Sequence, residues 1–286
     1  MMDDLSRRDF VAMSIAAGLG AAGEADAQPA MATAEKNVEI KTPDGTCDAA
    51  FIHPASGAHA AVIVWPDAFG LRPSMRDIGK RLAGAGYAAL VVNPFYRVGK
   101  APHFGDISNF SFSNPTDRAK VQPLMASATA AGGAEKDAAA FIAWLDQQPQ
   151  VDKAKKVGVQ GYCMGGPLTI RTMAAVPDRV GAGASFHGGG LVTDQPSSPH
   201  LLAPKIKGRV LIAVASNDDA RQPTAKDDLK KAFDAAGVPN EIEVYKGLHG
   251  WCVADMPLAD GKPIYDKPEA ERAWTRLLAT YKAGLV

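Results

Sequence analysis

A cysteine flanked by glycines stands where a predicted strand meets a predicted helix. The segment reads Gly161-Tyr162-Cys163-Met164-Gly165-Gly166, between a strand over 156–160 and a helix over 165–175. A nucleophile on so sharp a turn needs residues without side chains two positions before it and two positions after it. Its sulfur would stand at a helix N-terminus, where the helix dipole favours a thiolate. The pattern predicts that Cys163 is a catalytic nucleophile. The alternative is an inert buried cysteine on a tight glycine-rich turn.

Chain order selects a general base and leaves two candidates for the acid that orients it. Ser216-Asn217-Asp218-Asp219 follows a predicted strand over 210–215, and His249 follows another over 241–245. In this kind of site the acid and then the base come after the nucleophile. His249 is the only histidine beyond the acidic pair. Either Asp218 or Asp219 can be the acid, and the other would cap a turn. His187 follows a strand and can line the pocket, although a satisfied loop histidine is the preferred interpretation.

Two segments are expected to supply an oxyanion hole, the pair of donors that stabilises a developing negative oxygen. The turn directs the Met164 amide to the space above Cys163, and the loop over 66–70 should provide the second donor. In that loop Asp67 brings a carboxylate near the nucleophile. A turn-forming aspartate that bonds its own backbone explains Asp67 equally well.

The elements that must position these residues alternate between strands and helices. Strands are predicted at 60–65, 88–92, 156–160, 181–186, 210–215 and 241–245, and helices at 75–85, 134–147, 165–175, 224–236 and 268–282. This alternation predicts one α/β domain over 37–286, with a single mostly parallel sheet and helices on both faces. Residues 93–131 read as irregular. Within them, 98–131 carries Phe104, Phe110 and Phe112 and is predicted to cover an apolar pocket, with an ordinary surface excursion as the alternative.

Composition excludes several classes of protein. The 286 residues carry 31 basic and 31 acidic side chains, so no basic excess favours nucleic acid. Hydrophobic residues make up 47% and charged residues 22%, as in ordinary globular proteins. Three cysteines cannot build a disulfide scaffold and offer no paired zinc motif. A redox pair of Cys47 and Cys252 is a rival hypothesis, but two buried thiols are preferred. No metal or organic cofactor is called for.

The first 27 residues are predicted to be an export signal of the twin-arginine type. Arg7-Arg8 precedes an uncharged stretch over 10–23, and Ala25-Asp26-Ala27 is a small-x-small cleavage pattern. The uncharged stretch is too short to span a bilayer, so no stable membrane association is expected. Residues 28–36 read as a loose leader. The twin-arginine export machinery is therefore a predicted partner and the periplasm the predicted location; a frayed helix on a cytoplasmic protein is the alternative.

The sequence resembles the dienelactone hydrolase family of α/β-hydrolases from Val38 to the C-terminus. The resemblance rests on the cysteine elbow at 161–166, the Asp-Ala-Phe-Gly loop at 67–70, Gly86-Tyr87-Ala88-Ala89, the segment from Asp219 to Pro223, and His249-Gly250. It implies an α/β-hydrolase fold and cleavage of a small ester or lactone through an acyl-enzyme.

The resemblance also implies roles for individual residues. It implies a triad of Cys163, His249 and Asp219, because the proline four residues after the acid matches Asp219 rather than Asp218. The oxyanion amides of the family fall on Met164 and Ala68. The family's activating glutamate is replaced by Asp67, and its Tyr-x-Arg motif becomes Tyr96-Arg97-Val98, so the arginine that would bind a substrate carboxylate is shifted by one position. A ligand-binding protein without catalysis is the alternative function.

Overall fold

The computed structural model describes residues 30–286, so the predicted signal at 1–27 lies outside the described residues. The strands are β1 (Thr33–Thr42), β2 (Gly45–Pro54), β3 (Ala61–Trp65), β4 (Ala88–Val92), β5 (Val157–Tyr162), β6 (Val180–Phe186), β7 (Arg209–Ala215) and β8 (Asn240–Tyr245). The helices are α1 (Pro73–Gly84), α2 (Pro115–Ala128), α3 (Gly133–Leu145), α4 (Gly165–Ala175), α5 (Ser216–Arg221), α6 (Ala225–Ala235) and α7 (Lys267–Gly284), and a 3₁₀ helix spans Pro199–Lys205.

The eight strands form a single sheet in the order β1-β2-β4-β3-β5-β6-β7-β8. The six strands from β4 to β8 in that order are parallel to one another. β1 and β2 are antiparallel additions at one edge. The predicted α/β-hydrolase fold with a mostly parallel sheet is confirmed. Because parallel strands end at the same edge, the loops after β3, β5, β6, β7 and β8 all lie there.

Both faces of the sheet are covered by helices, as continuous apolar strands require. On one face Ile63 of β3 belongs to the same buried cluster as Phe141 of α3. On the other face the neighbouring Val64 belongs to a cluster with Leu82 of α1 and Leu277 of α7. Successive strand residues point to opposite faces, so each strand contributes to both cores.

The prediction of a loose leader over 28–36 is wrong for its last residues, because β1 begins at Thr33. β1 pairs with β2 in an uninterrupted register from Thr33 opposite Pro54 to Thr42 opposite Gly45. Most β1 side chains are exposed, and they include several charged residues. An outer strand of this kind lacks the apolar run that identifies a buried strand, and its charges discourage pairing with another chain.

The segment predicted as irregular contains a helix, α2. Asn114 caps its first turn, since the Asn114 side chain accepts a hydrogen bond from the Thr116 amide at 2.9 Å. Val121 and Leu124 are buried beneath it. The helix also contains Pro123. Because proline normally ends a helix, the sequence pattern does not predict α2.

Within residues 30–286, no helix combines the length and the apolar character needed to cross a bilayer.

Candidate active site

Cys163 occupies a strained turn between β5 and α4. Its φ is 52°, a left-handed conformation that residues other than glycine adopt rarely. A Cβ added at Gly161 would lie 2.0 Å from the Gly165 carbonyl oxygen, and one added at Gly165 would lie 2.3 Å from the Trp65 oxygen. The Cys163 amide donates to the Phe186 oxygen at 3.0 Å. The glycines therefore allow the turn to pack against the end of β3, as the sequence predicts. Strained residues of this kind are concentrated at functional sites.

The loops after β7 and β8 bring an acid and an imidazole together. Nδ1 of His249 lies 2.6 Å from Oδ2 of Asp218. The backbone amide of His249 donates to Oδ1 of Asn217 at 2.8 Å, which holds the histidine loop against α5. With Nδ1 bound to a carboxylate, Nε2 is the nitrogen available to Cys163.

The structure corrects the acid implied by the family resemblance. Asp219, the predicted partner of His249, instead accepts a hydrogen bond from Nζ of Lys226 at 2.7 Å. α5 begins at Ser216, directly after β7, so residues 218 and 219 project from a helix about 100° apart. Only Asp218 then faces the loop after β8, although the proline register matches Asp219.

The charges around His249 favour its protonated form. Burial lowers the pKa of the ring, but the charge of Cys163 and the hydrogen bond that Nδ1 donates to Asp218 outweigh burial and raise the pKa of His249 to about 10. The site therefore favours a protonated imidazole held against the Asp218 carboxylate, on the same cavity as Cys163.

The loop after β3 lies beside the elbow. Gly165 packs against the Trp65 and Pro66 carbonyls, which places the next residues of that loop close to Cys163. Ala68 lines the same cavity as Cys163. Met164 follows the nucleophile directly, is buried and stands at the N-terminus of α4. Both residues predicted to supply oxyanion amides therefore flank the nucleophile.

The Asp67 carboxylate forms a salt bridge with Arg72. The carboxylate accepts two hydrogen bonds from Arg72, at 2.7 and 2.9 Å, and one from the Phe69 amide at 2.9 Å. Arg72 also binds both oxygens of Asp255, at 2.7 and 2.9 Å. Asp67 and Arg72 are 0% and 4% exposed, so each charge needs the other. This arrangement fits the turn-forming alternative for Asp67 rather than a carboxylate that activates the thiol.

Tyr96 and Arg97 belong to a different cluster, so the role expected of them in binding substrate is wrong. The Tyr96 hydroxyl donates to Asp137 at 2.7 Å, and Arg97 binds the same carboxylate at 2.8 and 3.0 Å. Arg97 also binds Asp44 at 2.8 Å. Neither residue is among those that line the cavity at Cys163. The shift by one position relative to the family motif turns the guanidinium toward β1, β2 and α3.

Cys163 and His249 open into a cavity of about 390 Å³. Most of its walls are apolar. The remaining lining residues are Asp67, Ala68, Phe69, Phe110, Ser111, Phe112, Met125, Arg221, Met256, Pro257, Leu258 and Ile264. The predicted phenylalanine segment therefore contributes to the cavity, through Phe110 and Phe112 and through Phe104 packed behind Phe69 at 5.6 Å between ring centroids.

His187 is a site residue whose environment the sequence does not reveal. It is 0% exposed, has a φ of 40°, and lies edge-on to His249 with 4.8 Å between ring centroids. Among the described residues neither of its ring nitrogens has a hydrogen-bond partner. Burial, and then the charge of His249, lower its pKa well below the ordinary value. His187 is thus a neutral ring packed against His249. It is not the predicted loop histidine with its hydrogen bonds satisfied.

The other cysteines are separate. All three cysteines are free, and Cys47 and Cys252 pack in different cores on opposite faces of the sheet. Burial raises the pKa of both thiols well above the ordinary value. The redox pair is therefore not formed. Over residues 30–286, no group of three or more histidine, cysteine or acidic side chains is arranged to hold a metal ion.

Comparison with known proteins identifies the family. The sequence profile of the dienelactone hydrolase family matches residues 47–285. The chain belongs to the dienelactone hydrolase family. Membership makes it a hydrolase of carboxylic esters or lactones, the class that the family resemblance implies.

Individual members of the family are similar over most of their length. A protein of Methylorubrum extorquens named carboxymethylenebutenolidase is 29% identical, over 96% of this chain and 91% of its own. One of the same name from Escherichia coli K12 is 25% identical over 80% and 78%. The crystal structure of a dienelactone hydrolase from Klebsiella pneumoniae is 23% identical, with a TM-score of 0.70, and covers 88% of this chain and 99% of that one. That structure supports the fold.

Proposed function

We propose that this dienelactone hydrolase family member cleaves its ester or lactone with a triad of Cys163, His249 and Asp218. The observation that carries the proposal is the contact between His249 and Asp218 at 2.6 Å, on the cavity into which the strained Cys163 opens. In a triad the acid holds the imidazole in one tautomer and orientation while the imidazole moves protons.

The reaction then runs in two stages. The Cys163 thiolate attacks the substrate carbonyl carbon, and the Met164 and Ala68 amides donate to the oxyanion that forms. When the carbon–oxygen bond breaks, His249 gives its proton to the leaving alkoxide. His249 next removes a proton from water, and the hydroxide attacks the thioester. The acid product leaves, and Cys163 is again a thiolate beside a protonated His249.

The test compares turnover of 4-nitrophenyl acetate by the wild type, Cys163→Ala and Cys252→Ala. We expect Cys163→Ala to lower kcat by about 1,000-fold or more, since the covalent route is lost. Cys252→Ala is the matched control, because Cys252 packs in the opposite core. Iodoacetamide should inactivate the wild type, and mass spectrometry of quenched reactions should show an acyl group on Cys163. Full activity of Cys163→Ala would refute the triad.

A ligand-binding protein without catalysis is the other outcome of this experiment. It would show no turnover in any variant, while small esters still slowed alkylation of Cys163. The contact between His249 and Asp218 on the cavity at Cys163 argues against it, because binding alone needs no imidazole held by a carboxylate.

We further propose that residues 1–27 direct export by the twin-arginine machinery to the periplasm. The support is the order of Arg7-Arg8, the uncharged stretch and Ala25-Asp26-Ala27. Replacing both arginines by lysine should keep the full-length protein in the cytoplasm. Equal amounts of both forms in the periplasmic fraction would contradict the proposal.

A further inference from the structure

We infer that the site selects substrates with an uncharged, apolar acyl group and rejects those that carry a second carboxylate. The inference rests on the proposed function, since it concerns the cavity at Cys163. It names the chemistry of the group bound there.

Aromatic rings build one wall of the cavity. Phe110 lies 4.9 Å from Phe69 and 5.0 Å from Phe112, measured between ring centroids and with steep interplanar angles. Rings packed edge to face in this way present a continuous apolar surface. The volume of about 390 Å³ is within the range of small-ligand sites.

The rest of the lining adds aliphatic and thioether groups. They come from Met125 of α2, Met256, Leu258 and Ile264. Unbranched methionine side chains adapt to groups of different shape. A substrate chain of several methylene groups can therefore contact apolar side chains along the cavity.

The arginines near the site are already paired. Arg72 is 4% exposed and is shared between Asp67 and Asp255. Arg97 is held by Asp137 and Asp44 outside the cavity. A second carboxylate in the cavity would meet no free cation from either arginine.

Arg221 is the one arginine or lysine among the described residues that line the cavity. Its side chain is 73% exposed, and its guanidinium lies 3.6 Å from Oδ1 of Asp218. It therefore stands in solvent near the acid that holds His249. An exposed cation of this kind contributes little to binding a carboxylate, whereas burying an unpaired carboxylate is costly.

The experiment compares 4-nitrophenyl hexanoate with 4-nitrophenyl hydrogen adipate, which share chain length and differ in the terminal methyl or carboxylate. We expect kcat/KM to favour hexanoate by about 100-fold or more. The methyl ester of the adipate compound removes the charge, and we expect it to recover most of the loss. A kcat/KM for the hydrogen adipate equal to or above that for hexanoate would overturn the inference.

Variants at two positions, Met125 and Arg221, locate the effect. Met125→Arg adds a cation to the apolar wall and should raise the relative kcat/KM for the hydrogen adipate by about tenfold, whereas Met125→Gln, the matched neutral control, should not. Arg221→Gln should leave the ratio of the two substrates unchanged. A selective loss of the adipate reaction in Arg221→Gln would identify Arg221 as a carboxylate-binding residue and refute our assignment.

A binding measurement separates this inference from the proposed function. The ketone 2-octanone and its carboxylate counterpart 7-oxooctanoate are tested for protection of the Cys163 thiol from iodoacetamide. We expect 2-octanone alone to protect. This result would support the inference even if no ester were hydrolysed, whereas protection by 7-oxooctanoate alone would overturn it even if Cys163 proved to be the nucleophile.

Discussion

Oδ2 of Asp218 lies 2.6 Å from Nδ1 of His249, whereas its neighbour Asp219 lies 2.7 Å from Nζ of Lys226. Two adjacent carboxylates thus have different partners on different elements. Asp218 contacts the loop after β8, whereas Asp219 links α5 to α6. Chemistry at His249 should depend on the first of these contacts alone.

Asp218→Asn should lower kcat by about 100-fold or more, because the amide cannot hold the imidazole in the same tautomer or stabilise its charge. Asp219→Asn is the matched control and should keep kcat within a few-fold of the wild type. Steady-state hydrolysis of 4-nitrophenyl acetate measures both. If Asp219→Asn were the more damaging change, the acid would have to be reassigned.

The charge on His249 should depend on Cys163. The ring has a pKa of about 10 in the folded protein, against an ordinary value near 6.5. In Cys163→Ala the pKa should fall, because the charge of the sulfur is the largest of the effects that raise it. NMR titration of labelled histidines measures the shift. An unchanged His249 resonance would contradict an ion pair.

The same raised pKa has a consequence for stability. Since the folded protein binds the proton more tightly than the unfolded chain, the stabilisation is complete below about pH 6.5 and is lost as the pH rises through about 10. Urea unfolding at pH 6 and pH 10 should therefore show a larger loss of unfolding free energy in the wild type than in Cys163→Ala. Equal losses would refute the linkage.

Arg72→Ala should destabilise the fold by about 3–5 kcal/mol, because it leaves the buried Asp67 carboxylate without a partner. The double variant Asp67→Asn with Arg72→Met removes both charges and should recover part of the loss. Lys100→Ala, which breaks an exposed pair with Glu39, is the control and should scarcely change the unfolding free energy. Urea denaturation distinguishes the three, and a mild effect of Arg72→Ala would contradict the strength of the buried pair.

We expect His187 to affect His249 through the packing of its ring and not through its ring nitrogens. His187→Ala opens space behind His249, so we expect a loss of about 2–4 kcal/mol in stability and a lower kcat. His187→Phe keeps a ring at that place and should retain kcat within a few-fold. Measuring kcat and urea unfolding for both variants separates the shape of the ring from its nitrogens. Equal damage in both would show that the nitrogens themselves are needed.

Several parts of the fold and site follow directly from the residues. The buried strands and the elbow around Cys163 are predictable because apolar runs and paired glycines have few other uses. His249 is predictable from chain order alone. Its partner is not, because the start of α5 decides whether Asp218 or Asp219 turns toward it, and helix bounds are not read to one residue from a sequence.

Other features depend on contacts between distant segments. Arg97 stands one position from the family motif, and only the folded chain shows that Asp137 of α3 binds it. The environment of His187 is formed by Tyr162 at the end of β5 and by His249 and Trp251 in the loop after β8. β1 is polar along most of its length, so pairing with β2, rather than its own composition, makes it a strand.

The guanidinium of Arg72 has a consequence for how the cavity admits different molecules. It joins the loop that contains Asp67 to the segment that contains Asp255, so a buried guanidinium holds these two segments together. The aromatic wall ends at Phe112, which is 45% exposed and lies 5.9 Å from Phe69 between ring centroids. The Phe112 ring can rotate without breaking an ion pair. The nucleophile therefore works between one rigid boundary and one adjustable boundary, and a single Cys163 can accept acyl groups of unequal width.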